Sequence, residues 1–99
     1  MARMPDTMPA DQRLMLRLLQ DHGWQSHNMG RRLMPEYRQR FDWLYENLDR
    51  PMPDHEPTDL CWQYRWYAMP TRSAMDLVDG IIVAFREPAD RTMFVLRWS

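Results

Sequence analysis

The stretch Leu60-Cys61-Trp62-Gln63-Tyr64-Arg65-Trp66-Tyr67-Ala68-Met69 decides the class of fold. Leu60, Trp62, Tyr64, Trp66 and Ala68 fall on one side of a period-two pattern, and Cys61, Gln63, Arg65, Tyr67 and Met69 on the other. Alternation of this kind is the signature of a strand, because successive side chains of a pleated backbone point to opposite faces. Aromatic side chains also favour the pleated surface. The chain therefore contains a sheet, and the rest of the sequence is read outward from it.

Downstream, Pro70 to Gly80 is a turn region, with a short helix expected near Ser73 to Leu77. Gly80 to Phe85 is a continuous apolar run holding Ile81, Ile82 and Val83, which reads as a buried strand. The final segment fits two periods. Thr92, Phe94, Leu96 and Trp98 alternate with Arg91, Met93, Val95 and Arg97, as in a hairpin strand. Pro88 at a first helical position, Asp90 behind it and Arg97 near the end suit a helix, with Asp90, Phe94 and Trp98 at i, i+4 and i+8. The helix is the first choice and the strand stays open.

Upstream, Arg50 to Thr58 carries Pro51, Pro53 and Pro57 with Asp54, His55 and Glu56, a stiff acidic linker over 51–58. Before it, Pro35 and Glu36 open a helix whose Tyr37, Phe41, Leu44, Tyr45 and Leu48 share one face. Trp24 to Arg32 reads as a polar connector with Ser26, Asn28 and Gly30. A first helix is expected over Pro9 to His22: Thr7 can cap it, Asp11 lies near its positive end, Leu14, Met15, Leu18 and Leu19 recur at helical spacing, and Gly23 stops it. The expectation is one α+β domain over 1–99. A helical half (1–50) and a β-rich half (59–99) place two N-terminal helices on a small antiparallel sheet, followed by a C-terminal helix or strand.

Ninety-nine residues build one core with little margin, so large side chains matter. Five Trp, four Tyr, three Phe and ten Met supply them. The net charge of −1 is not the basic excess of a general nucleic-acid binder. All 13 basic residues are Arg, which removes Schiff-base lysine chemistry and any P-loop lysine. A single cysteine, Cys61, forms no internal disulfide and suits a reducing compartment. Leu14 to Leu19 is too short for a secretory segment and is broken by Arg17, and no run reaches the ~20 apolar residues of a membrane span. A soluble cytoplasmic protein is expected.

The candidates for chemistry are thin. His22 and His27 are five apart across Gly23, His55 sits in the linker and Cys61 has no cysteine partner, so the tight ligand spacing of a zinc site is missing. Cys61 lies inside the strand pattern, beside Trp62, where a cysteine normally serves packing. Three glycines are too few for a phosphate-cradling loop. Asp54, Glu56, Asp76 and Asp79 read as solvated caps. No cofactor, no metal and no enzymatic activity are expected.

Two surfaces stand out for binding. If the helices cover only one face of the sheet, Gln63, Arg65, Tyr67 and Met69 form an exposed polar–aromatic strip of residue types enriched at interfaces. Arg31, Arg32, Arg38 and Arg40 cluster at the start of the second helix, where guanidinium groups can clamp carboxylate or phosphate. The face of Trp62, Tyr64 and Trp66 is either core or, with nearby arginines, a platform for stacking nucleobases.

Phe85-Arg86-Glu87-Pro88-Ala89-Asp90-Arg91-Thr92-Met93-Phe94-Val95-Leu96-Arg97-Trp98 resembles the ends of small uncharacterised proteins of tailed bacteriophages. The shared pattern is an aromatic strand residue, an acidic-Pro-x-Asp step, then Phe-x-Leu-Arg-aromatic. Arg91 and Thr92 stand where smaller residues are usual in that pattern. The resemblance implies a phage or mobile-element origin and assigns no residue a role. Short non-enzymatic phage proteins often occlude a host machine, such as a polymerase or a CRISPR-type defence complex. The expectation is an inhibitor or accessory factor that binds a host protein or protein complex. The alternatives are a nucleic-acid binder using the aromatic face and the arginines, and a virion or assembly component marked by self-association.

Overall fold

The computed structural model describes residues 10–53, 63–72 and 78–98. The order is α1 (Ala10–Asp21), β1 (Gln25–Asn28), α2 (Met34–Leu48), β2 (Trp66–Arg72), β3 (Val78–Phe85) and α3 (Pro88–Trp98). The protein is α+β, as the alternating stretch requires. Thr7 and Pro9, Asp54 to Trp62 and the expected helix over 73–77 lie outside the described residues.

The sheet runs β1-β3-β2, and β3 pairs antiparallel with both neighbours. β1 and β2 are therefore parallel to each other with β3 between them, and α2 connects them in a split β-α-β unit. Both faces of this sheet are covered. Met69 and Tyr67 of β2 and Ile82 and Ala84 of β3 pack with Met15, Leu16 and Leu19 of α1. On the other face, Trp66, Val83 and Phe85 pack with Leu44 and Leu48 of α2 and Phe94 of α3. The two N-terminal helices thus sit on opposite faces, and the terminal segment joins α2. Burial on both faces explains why β3 reads as a continuous apolar run.

The elements end where local chemistry ends them. Gly23, at φ 88, closes α1: Trp24 N–H donates to the Leu19 carbonyl and Gly23 N–H to the Gln20 carbonyl, both at 3.0 Å. This pair of bonds is a Schellman motif, which satisfies carbonyls the helix leaves open. Within the helix, Leu16 rather than Leu14 turns inward; Leu14 is exposed. α2 starts with Pro35 in its first turn and Glu36 behind it. α3 has Pro88 at its start, Asp90 in its first turn and Arg97 in its last. The helical period of the C-terminal segment prevails because its stripe Asp90, Phe94, Trp98 lies against α2 and the sheet, with Asp90 and Phe94 buried.

Two strand readings need correction. β1 lies inside the stretch read as a connector, so the N-terminal half is not purely helical. Its four residues, Gln25 to Asn28, pair with Ile82 to Phe85. β2 begins at Trp66 rather than Leu60: Gln63 to Arg65 precede it outside the strand, although the Arg65 carbonyl accepts from Arg86 N–H at 2.9 Å. From Trp66 to Met69 the residues are apolar on both faces, as a strand covered twice must be. The outer edge of β2 is guarded. Met52 N–H donates to the Trp66 carbonyl at 2.7 Å, and Pro70 leaves no N–H to offer.

Gly80 is required by close approach. A Cβ there would meet the Gly30 backbone at 3.2 Å and Asn28 Oδ1 at 3.4 Å. That contact seats the 29–33 loop against the end of β3, where Met29 N–H also donates to the Ile81 carbonyl at 2.8 Å.

Candidate functional site

The loop ahead of α2 is held by one side chain. Tyr37 hydroxyl donates to the Gly30 carbonyl at 2.5 Å and accepts from Arg32 N–H at 3.0 Å. Leu33 has no capping side chain, so the first helical N–H groups fall back on its carbonyl, from Glu36 at 3.0 Å and Tyr37 at 3.2 Å. Arg32 Nε donates to the Met29 carbonyl at 3.1 Å, and its Nη1 lies 3.4 Å from Glu36 Oε2. These bonds fix the loop and leave part of the Arg32 guanidinium outward.

The four arginines expected at this helix start separate into two groups. Arg31, Arg32 and Arg38 are exposed. The side chains of Arg31 and Arg38 make no hydrogen bond or ion pair among the described residues. Arg40 is buried: its Nη1 donates to the Glu36 carbonyl at 3.0 Å and its guanidinium lies 4.6 Å from the Trp98 ring centroid. Residues two apart on a helix point in nearly opposite directions, at roughly 100° per residue. Arg40 therefore belongs to the α2–α3 seam and is withdrawn from the binding group. Burial first, and then the charge of Arg32, draws its pKa below the ordinary guanidinium value.

Beside two of the exposed arginines, Arg32 and Arg38, opens an apolar cavity of about 450 Å³. Tyr37, Phe41, Pro70 and Ile81 form its floor, and Met34, Arg32 and Arg38 its rim. Pro70 and Ile81 face each other across the β2–β3 ladder, which brings the far end of the hairpin under the first turns of α2. Leu33 and Met34 extend the lip into solvent, at 71% and 72% exposure. The sequence reading missed this cavity. Tyr37 and Phe41 were visible as a core face of α2, but the floor exists only because β2 runs on to Pro70 opposite Ile81.

The β2 strip behaves differently. Tyr67 and Met69 are buried under α1, so they are withdrawn as binding residues: the helices cover both faces of the sheet, and the condition for an open strip fails. Arg65 is tied down. Its Nη2 donates to Asp90 Oδ1 at 2.6 Å and its Nε to Asp90 Oδ2 at 3.0 Å, a bidentate pair across to α3. The hydrogen bond to Asp90 raises the Arg65 pKa. Gln63 is exposed, and with Tyr64, Arg65 and the C-terminal turn of α2 it lines a second cavity of about 500 Å³. Glu46, Asp49 and Arg50 mix both signs of charge around it, so it selects neither.

The stacking platform is not available as drawn. Trp66 is buried, its Nε1 donating to the Asp49 carbonyl at 2.8 Å, and Tyr64 packs on the α1-side core. Trp62 lies outside the described residues. Cys61, His55, Asp54, Glu56 and Asp76 do as well, so the sequence readings on them are not placed. Among the described residues no three His, Cys, Asp or Glu side chains converge to hold a metal ion, and no helix is long and apolar enough to cross a membrane.

His27 of β1 packs against α3. It lies edge-on to Phe94, with ring centroids 5.9 Å apart. Burial lowers its pKa, and the charges of Arg91, Arg32 and Arg40 lower it further. The lowered pKa favours the neutral imidazole, so the cations gathered around this ring are Arg91, Arg32 and Arg40. No family model, no curated protein and no solved structure matches this chain.

Proposed function

We propose that this chain is a non-enzymatic protein-binding factor of phage origin. It binds a host protein complex, of the polymerase or CRISPR-type defence kind, and occludes it. The observation that carries the reading is the apolar cavity at the start of α2 with unpaired Arg38 on its rim and Arg31 nearby. An anchor pocket ringed by arginine is how protein interfaces concentrate their binding energy: a few well-seated side chains dominate and polar groups exclude water around them. Occlusion needs no chemistry, only a rigid surface, and the Tyr37 brace gives the loop that rigidity. The resemblance of Phe85 to Trp98 to phage proteins supports the origin.

Gln63 and Arg65 keep a lesser place, at the margin of the second cavity. The nucleic-acid reading loses its aromatic face to the core and survives only as an outcome of the test. Tagged protein is used to capture partners from a bacterial lysate, with nuclease treatment in parallel. A stoichiometric host protein retained after nuclease is expected. A signal lost with nuclease would replace this reading by nucleic-acid binding, and capture of the chain's own copies alone would replace it by assembly.

A further inference from the structure

We infer that the α2 cavity takes one apolar side chain from a partner segment whose flanking residues are acidic. The inference rests on the protein-binding reading above and names the chemistry that the site selects.

Three features argue for it. The floor, Tyr37, Phe41 and Ile81, offers an apolar seat and no charged group, so the seated side chain must be apolar. A volume of about 450 Å³ is at the lower end of ligand pockets, which span roughly 300–1,000 Å³. It suits a large side chain better than a folded element. The rim then sets the charge. Arg32 and Arg38 border the opening and Arg31 precedes Arg32 in the same loop; among the described residues the one carboxylate engaging them is Glu36, 3.4 Å from Arg32. Arg38 and Arg31 have their donors free among the described residues. Guanidinium groups pair best with carboxylates in a bidentate fork. A neutral segment would leave them unmatched, and a basic one would be repelled.

An acidic protein segment accounts for both halves of the site. A nucleic acid would satisfy the arginines through phosphate, but its bases are polar at their edges, and the floor offers no hydrogen-bonding partner for them beyond the Tyr37 hydroxyl, already engaged. The arginines also favour encounter at range, since their charge is concentrated while the rest of the chain is net acidic.

The test uses a short labelled peptide with a central tryptophan flanked by glutamates, titrated into the isotopically labelled full chain. Amide shifts are expected to centre on Arg32, Met34, Arg38, Phe41 and Ile81. Replacing the tryptophan by alanine, or the glutamates by lysines, should each weaken binding about tenfold or more. Arg38→Gln should weaken the glutamate peptide by a factor of about five to ten while leaving the spectrum otherwise dispersed. Met34→Trp, which crowds the rim, should weaken it independently of charge. Equal binding of the alanine or lysine peptide would overturn the inference, as would shifts centred elsewhere or full displacement by a single-stranded oligonucleotide. The peptide assay needs no native partner. If it fails while a host protein is still captured from lysate, the site chemistry is wrong and the protein-binding reading stands. If the peptide binds and no host protein is captured, the reverse holds.

Discussion

At the residue scale, two side chains set properties that can be measured directly. Arg65 and Asp90 join β2 to α3 through two charge-assisted bonds, with the Asp90 side chain 6% and the Arg65 side chain 41% exposed. Removing the arginine strands a buried carboxylate, which costs several kcal/mol where both partners are buried. Solvent reaches Arg65, so Arg65→Ala should cost less, about 2 kcal/mol, read as a lower urea midpoint at an unchanged slope. A charge reversal at Arg65 would confound any binding assay for this reason. His27 gives a pH signature. Burial holds its folded pKa below the ordinary 6.5, so the unfolded chain takes up the proton first as pH falls. Its contribution to stability is full above 6.5 and is lost as pH falls through the depressed folded value. His27→Phe should flatten that part of the stability profile. An unchanged profile would show that neither burial nor the charges of Arg91, Arg32 and Arg40 depress this ring's pKa.

At the scale of elements, the legible parts are those whose signals are local. α1 and α2 follow from a 3.6-residue apolar period and from proline and glycine punctuation. Gly23 was readable as a stop and sits at the required positive φ. β1 was not readable: Gln25-Ser26-His27-Asn28 carries no apolar alternation, and it becomes a strand because β3 offers it a partner. The start of β2 lies later than expected because Trp62 and Tyr64 extend the alternation of Trp66 back ahead of the residues that pair. α3 fitted two periods, and the contact of Phe94 with Phe85 and Trp43 selects the helix. Two substitutions with opposite signs test the end of α1 and the end of α2. Gly23→Ala meets no atom within 4 Å but must hold φ 88, and should cost about 1–2 kcal/mol. Asp49, at φ 65 and ψ −155, occupies a region nearly confined to glycine. Asp49→Gly should stabilise by about 1 kcal/mol, seen as a higher thermal midpoint, provided its carbonyl keeps the Trp66 Nε1 bond.

At the scale of the molecule, covering both faces of a three-stranded sheet fixes where binding can occur. It consumes Tyr67, Met69 and Trp66 in the core and leaves the edges and helix starts as surface. Part of the site was legible: Arg31, Arg32 and Arg38 stood out as a cluster of planar cations. The rest was not, because Arg40 turns toward Trp98 and the cavity floor is assembled from α2 and the end of the β2–β3 hairpin, some thirty residues on. The proposed partner docks at that cavity. The most direct test compares capture of host protein from nuclease-treated lysate by the native chain and by Arg31→Glu/Arg38→Glu. Both positions are exposed, so the fold should be unchanged by circular dichroism and thermal midpoint. Loss of the captured protein by at least tenfold is expected in the variant, which reverses the charge where carboxylates would dock. Undiminished capture by a folded variant would contradict it and move the interface away from the start of α2.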